Sequence, residues 1–440
     1  MSSTFIEGST PLTGDITVSG SKNSSLKLIV AAMFSNQDVV LENVPRIKVI
    51  EDDLEIIRSL GGSAEWAGDT LILNGAGLSS SEIRYELGSR LRTAVLLSGP
   101  LLFRFGKASI PKFNSEIYVA GPINRLVDTW KTLGVEVKED DRYYHLNAEN
   151  MASSTVVFKT STHMGTDNAI LCSLFLDGET IIANASEEAE IEDLILMVNQ
   201  MGGNVERVEP RKIQVIGTNI FKDAKFSVLG DKTEAAIFAS AAILTNGNVT
   251  IKGIKKETLI PFVNFLNKID AKFEICENEL KVWRHEEDLI PAQVEIAPTP
   301  GFVPDWQSLA TIILTQAGGE SLVHDTVYTN RFSYVIDLNR MGAKISNIKP
   351  TEVDLIPVIS EDSYDFEVQG EPKSVVKIEG PTRLKGEKLN IGSFINGPVL
   401  VLAALCAEGK SEIIGMEHIE KYLAGFSDKL KSLGAKIWEQ

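Results

Sequence analysis

The chain has 440 residues, of which 43% are hydrophobic and 16 are proline, a length that favours two domains or a repeat array over a single core. Its formal net charge of −17, from 43 basic and 60 acidic residues, speaks against nucleic acid or an anionic membrane as the main partner, yet leaves room for an anionic metabolite held by a few local cations. The three cysteines form no CxxC or Cys/His cluster, which speaks against a disulfide framework and points to a reducing cytoplasm and no structural metal; no cofactor is expected.

The opening "MSSTFIEGSTPLTG" has neither a basic n-region nor an apolar h-region, and no apolar run approaches the ~20 residues that crossing a bilayer requires. The protein is therefore expected to stay in the cytoplasm. Residues 5 to 19 read as strands, and "SGSKNSSLKL" then places Lys22 and Asn23 at the mouth of a helix. From there one pattern recurs along the chain: an amphipathic helix, an apolar-Gly-small step, a strand, a polar turn and a second strand. It is seen as "EIIRSLGGSAEWAGDTLIL", "LVDTWKTLGVEVKEDDRYYHL", "LILMVNQMGGNVERVEPRKIQV", "FVNFLNKIDAKFEICENELKVW", "VIDLNRMGAKISNIKPTEVDL" and "FSDKLKSLGAKIWEQ".

The anchors Leu60, Leu133, Met201, Ile269, Met341 and Leu433 are spaced by 73, 68, 68, 72 and 92 residues. In five copies a glycine follows the anchor, as expected where a helix ends in a left-handed residue; the fourth has Asp270, which also tolerates that conformation. Between the anchors lie helices apolar all round, as in "AILCSLFLDGETIIANA", "AIFASAAILTNGNVTIKGI" and "VLVLAALCAEGKSEIIGM". Such a helix must be buried on every side, and this assigns Cys172 and Cys406 to the core and Cys276 to an ordinary strand position. Six units exceed one core. We expect an α/β fold of six repeated helix-strand units in two three-unit domains, 22–229 and 1–21 plus 230–440, with the chain crossing between them near residues 20–23 and 228–231.

Six polar turns precede the buried helices, and they carry the unusual residues: Lys22 and Asn23, Ser89 to Arg92, His163 to Asp167, Asp231 to Thr233, Pro304 to Trp306, and Asn390 to Ser393. With pseudo-symmetry these helix N-termini would point to a common place, where free N–H groups and the helix dipole favour an anion. Ser89, Thr166 and Ser393 read as N-caps. Lys22 and Arg92 oppose the helix dipole, which calls for an anionic ligand. Asp231 and Glu234 flank Lys232 and pair with it or bind ligand. "GDITVSGSK" is not a P-loop, since Asn follows the lysine, and no histidine-cysteine pair forms a nucleophile and base.

The stretches "GSKNSSLKL", "LENVPRIKVIEDDLEIIRSLGG", "LRTAVLLSGPLLFRFG", "APTPGFVPDWQ", "TVYTNRF" and "LNRMGAKI" resemble the UDP-N-acetylglucosamine enolpyruvyltransferase (1-carboxyvinyltransferase) family, which opens peptidoglycan synthesis and has the shikimate-pathway enolpyruvyltransferase as its structural sibling. The resemblance runs over the whole chain. It implies an inside-out α/β barrel in each domain and transfer of the enolpyruvyl group of phosphoenolpyruvate to a hydroxyl of a UDP-N-acetylglucosamine-like acceptor, with release of phosphate. It also implies site roles: Lys22 holding phosphoenolpyruvate, Asn23 the acceptor and the tetrahedral adduct, and Lys48 and Arg92 lining the cleft near the nucleotide sugar; Gly165, Asp231, Glu234 and Lys421 are further candidates for substrate binding. Asp305 would take the proton of the acceptor hydroxyl, Val327 would lie near the uracil and sugar, and Arg331 would grip the carboxylate. A carboxylate at the attacking hydroxyl serves as base, and fixed cations offset developing charge in a closed, water-poor cleft.

The family's lid carries a cysteine or aspartate and then an arginine before a proline. Here "IPKFNSEIYVAGP" puts Asn114, Ser115 and Glu116 near the thiol position and Gly121 at the arginine. Ser393 and Ile395 stand where the family has Asp and Arg, Lys421 stands at another family arginine, and His163 with Met164 replaces a Ser-Val phosphate contact. Lysine does not reproduce the bidentate anion contacts of arginine. Two alternatives follow: a catalytically silent homologue that binds a nucleotide sugar, or the same fold with Glu116 as a new lid acid and a different donor.

Overall fold

The computed structural model describes residues 3–113, 123–284, 288–361 and 364–439. Glu116, with Asn114, Ser115 and Gly121, lies outside the described residues. The chain divides into two compact units, Gly20–Leu229 and Met1–Ser19 with Gly230–Gln440.

The Gly20–Leu229 unit is built around three helices, Lys22–Ala32, Ser98–Phe105 with the 3-10 turn Arg92–Leu97 before it, and His163–Ser173. The first and third are buried almost throughout, as helices without a polar stripe require, and the second is buried over residues 98–102. Three sheets flank them. In the first, Ala224–Ser227 runs parallel to Val39–Glu42, followed by Thr70–Asn74 and Ser63–Ala67. The second joins Lys107–Pro111, Tyr143–Asn147 and Glu136–Glu139, and the third joins Asn204–Glu209, Lys212–Ile216, Glu179–Ala183 and Thr155–Val157. The amphipathic helices Lys48–Ser59, Asn124–Thr132 and Ala189–Gln200 each lead into a hairpin.

The second unit repeats the plan with Lys232–Leu244, Gln307–Leu314 and Gly397–Cys406, which pack on one another. Each fully buried leucine or isoleucine in such a helix contributes roughly 1.5–3 kcal/mol. The N-terminal strands belong here. Ser3–Glu7 lies between Lys410–Ile414 and Lys436–Glu439, antiparallel to both, with Ile6 opposite Ser411 and Ile437. Thr13–Thr17 runs parallel to Asn248–Lys252. The remaining sheet joins Gln293–Ile296, Gly319–Asp325, Val375–Gly380 and Ile345–Ile348.

All six anchors are followed by a left-handed residue: Gly61, Gly134, Gly202, Asp270, Gly342 and Gly434 have φ of 96°, 81°, 100°, 57°, 109° and 100°. Each ends its amphipathic helix and turns the chain into the first strand of the hairpin. The capping expectation needs correction. The caps with side-chain bonds on the buried helices are Ser21, Thr162 and Asp231. Ser89 instead ends the short helix Tyr85–Gly88, Asn396 occupies the N-cap position of Gly397–Cys406, and Thr166 lies inside its helix, its hydroxyl donating to the Thr162 carbonyl at 2.7 Å. A Ser or Thr one turn from a helix start is a cap only if its backbone is extended there.

Candidate active site

In the Gly20–Leu229 unit, Ser21 has extended backbone and its hydroxyl accepts from the Ser24 N–H at 3.2 Å, so the helix Lys22–Ala32 starts with Lys22 and Asn23 in its first turn. No acidic residue shares that turn, which leaves the helix dipole and the lysine with the same sign. One turn further on, Lys27 is buried. Its ammonium lies 2.9 Å from Asp167 Oδ2, with both side chains 2% exposed, and it also contacts His163 Nε2. An ammonium only donates, so that imidazole nitrogen accepts. Burial pushes the Asp167 carboxyl up to about 6, with Lys27 acting against the rise. Asp193, also buried, accepts from the Ser24 hydroxyl at 2.6 Å and the Leu229 N–H at 3.0 Å. The start of this helix is thus held by two buried carboxylates. The signal available for them was polar residues set among apolar helix positions.

Gly165 sits in the first turn of His163–Ser173, its N–H donating to the Thr162 hydroxyl at 3.3 Å. A side chain there would meet Thr162 Cγ2 at 2.3 Å and the Phe158 ring at 3.0 Å. Arg92 is exposed at the start of its 3-10 turn and lines a cavity of about 350 Å³ together with Val95, Lys112, Asn124, Tyr144 and Met164. The Lys112 ammonium stands 5.2 Å from the Tyr144 ring centroid and 2.9 Å from Glu139. Lys48 does not join this cavity's lining. Its side chain is 62% exposed and pairs with Asp52 one turn along the same helix.

In the second unit, Asp231 caps Lys232–Leu244 by accepting from the Thr233 and Glu234 N–H groups at 2.9 and 3.0 Å. Glu234, 1% exposed, accepts from the Ser19 N–H at 2.7 Å and pairs with Lys429, which also donates to the Ser19 hydroxyl at 2.7 Å. Burial raises its carboxyl while Lys429 lowers it. Both acidic residues of this turn therefore have structural partners.

Asp305 lies in the turn Pro304–Trp306 that leads into the helix Gln307–Leu314. Its Oδ1 is 3.5 Å from Arg331 Nη1, and the guanidinium carbon stands 3.8 Å from the Tyr328 ring centroid. Val327 is buried on the same loop. Asp305 and Arg331 line a small cleft of about 40 Å³ with Thr233, Ser308, Phe394 and Ile395. The Phe394 ring packs 4.8 Å from Tyr422, and Lys421 stands 5.8 Å from the Tyr422 ring centroid. Asp305, Arg331 and the replaced position Ile395 thus meet in one place. Among the described residues no group of three or more His, Cys, Asp or Glu is placed to hold a metal ion, and no helix is long and apolar enough to cross a membrane.

In each unit three buried helices are flanked by three sheets, an α/β architecture that solved enolpyruvyl transferases share. The solved enolpyruvyl transferase NikO from Streptomyces tendae matches it with a TM-score of 0.86 at 20% identity, covering 100% of this chain and 99% of that one. EPSP synthase from Acinetobacter baumannii matches with a TM-score of 0.74 at 15% identity, covering 100% of both chains. The family model for EPSP synthase (3-phosphoshikimate 1-carboxyvinyltransferase) matches residues 6–361. The UDP-N-acetylglucosamine 1-carboxyvinyltransferases of Pelagibacter ubique and Chlamydia pneumoniae are each 31% identical to this chain, over 98% and 97% of it and 97% and 92% of their own lengths. The chain belongs to the EPSP synthase (3-phosphoshikimate 1-carboxyvinyltransferase) family.

Proposed function

We propose that the protein transfers the carboxyvinyl group of phosphoenolpyruvate to a hydroxyl of UDP-N-acetylglucosamine, releasing phosphate, in the cytoplasm and in the service of peptidoglycan synthesis. The observation that carries this reading is the near full-length match to relatives of that name, joined to a lysine and asparagine at a capped helix start and a paired Asp305 and Arg331.

In this reading the acceptor oxygen bonds to C2 of phosphoenolpyruvate while a proton adds to C3. The tetrahedral adduct then loses phosphate from C2 and a proton from C3, which restores the double bond. Asp305, half exposed and at the cleft, receives the hydroxyl proton. Lys22 at its helix N-terminus meets an anionic group, as helix dipole and charge both favour. Arg331 faces the carboxylate of the donor, and Asn23 the adduct. The cavity lined by Arg92, Lys112 and Tyr144 suits a flat, charged nucleotide portion. Asp231 caps its helix and Glu234 holds the Ser19 backbone beside it.

The test is phosphate release from phosphoenolpyruvate in the presence of UDP-N-acetylglucosamine, with mass spectrometry showing the carboxyvinyl adduct of the nucleotide sugar. Absence of both from the wild-type protein, at millimolar donor, overturns the reading.

A further inference from the structure

Asp325 has no place in the roles given so far, yet it is 0% exposed, and a carboxylate is not buried without cause. It ends the strand Gly319–Asp325. Its Oδ1 accepts from the backbone N–H groups of Val327 and Tyr328, both at 2.8 Å. Its Oδ2 makes a long contact, 3.5 Å, with the Gln307 side-chain amide. Gln307 in turn accepts from the Tyr334 hydroxyl at 3.1 Å, and that hydroxyl meets Thr311 at 2.8 Å. One oxygen of Asp325 therefore holds the loop that bears Arg331. The other reaches the segment that bears Asp305, two residues before Gln307 in the chain.

Tyr328 completes the link. Its ring lies against the Arg331 guanidinium, 3.8 Å from ring centroid to Cζ, while the same guanidinium stands 3.5 Å from Asp305. Arg331 is 20% exposed and Asp305 52%, and a pair this open on the carboxylate side gains little, so the ion pair by itself does not fix the guanidinium. A stacked guanidinium whose ring is pinned through its own backbone N–H does.

We propose that Asp325 and Tyr328 are positioning residues: Asp325 sets the loop and Gln307, Tyr328 presents its ring face to Arg331, and Arg331 is thereby aimed at the Asp305 cleft before substrate arrives. The inference deepens the transferase reading above and rests on it for its kinetic arm. Such preorganisation matters because a misplaced charge at a reacting centre costs rate out of proportion to its effect on stability.

The experiment compares Tyr328→Phe, Tyr328→Ala, Asp325→Asn and Arg331→Ala in the full chain. Tyr328→Phe keeps the ring face and should hold kcat/KM within about twofold. Tyr328→Ala and Asp325→Asn should each lower it about tenfold to a hundredfold, and Tyr328→Ala should add almost nothing to Arg331→Ala, because both act through one guanidinium. A second arm needs no turnover: nitrogen-15 NMR of the Arg331 side chain should show hindered rotation in the wild type and Tyr328→Phe, and averaging in Tyr328→Ala. Losses that add fully, or Tyr328→Phe falling as far as Tyr328→Ala, or an Arg331 signal indifferent to Tyr328→Ala, would overturn the proposal. A wild type without turnover but with a hindered Arg331 signal sinks the transferase reading and leaves the positioning role standing.

Discussion

Lys27 and Asp167 form an ion pair of 2.9 Å with both side chains 2% exposed, joining two buried helices. Removing one partner leaves a buried charge alone. Lys27→Met is expected to lower the free energy of unfolding by ~3–5 kcal/mol, whereas Lys27→Met combined with Asp167→Leu recovers most of the loss. Urea unfolding of the three proteins decides the matter. A double variant as unstable as the single one would show that the pair is not what holds these helices.

Asp53 is 0% exposed on the helix Lys48–Ser59, and neither carboxylate oxygen has a hydrogen-bond partner. Burial raises its carboxyl to about 8, with Asp52 adding to the rise. Because the folded value lies above the ordinary 3.8 of the unfolded chain, the folded state binds the extra proton. Stability from this group is full below pH ~4 and declines up to pH ~8, by at most ~1.4 kcal/mol per pH unit. Asp53→Ser should flatten that decline and raise the melting temperature at pH 8. Parallel pH profiles for variant and wild type would refute it.

Asp305→Asn keeps the shape of the cleft and removes the base. The turnover number should fall by roughly 10²–10⁴-fold, with binding of UDP-N-acetylglucosamine, measured by calorimetry, changed little. Unaltered turnover would take Asp305 out of the proton transfer.

Ile395 lines the Asp305 cleft and is 42% exposed, at a position where the sequence resemblance implies an arginine. Ile395→Arg joined with Ser393→Asp should lower KM for phosphoenolpyruvate by about tenfold, since one charge-assisted contact contributes ~1.5–3 kcal/mol. A higher KM would mean that the apolar lining serves a different donor.

Much of the fold was legible because its signals are local. The six left-handed residues after Leu60, Leu133, Met201, Ile269, Met341 and Leu433 follow from where amphipathic periodicity stops, and the buried helices follow from their lack of a polar stripe. Lys22 and Asp305 stand out as candidates through the polar turns that hold them, and Asn23 and Arg331 through the family resemblance. Lys48 and Glu234 were placed in the same way, and the structure gives them salt-bridge partners, Asp52 and Lys429. Periodicity locates a residue on a helix but says nothing of which distant charge arrives beside it.

The sequence by itself determined the repeat, the helix and strand types, and the polar turns at the helix starts, since each depends on a few neighbouring side chains and on backbone sterics. Only the tertiary structure decided the partners: Lys27 with Asp167 across 140 residues of chain, Ser3–Glu7 between two C-terminal strands, and Asp325 reaching both Tyr328 and Gln307. Those contacts arise when packing brings remote segments together and burial makes an unpaired charge costly. Pattern alone carries no record of that pairing.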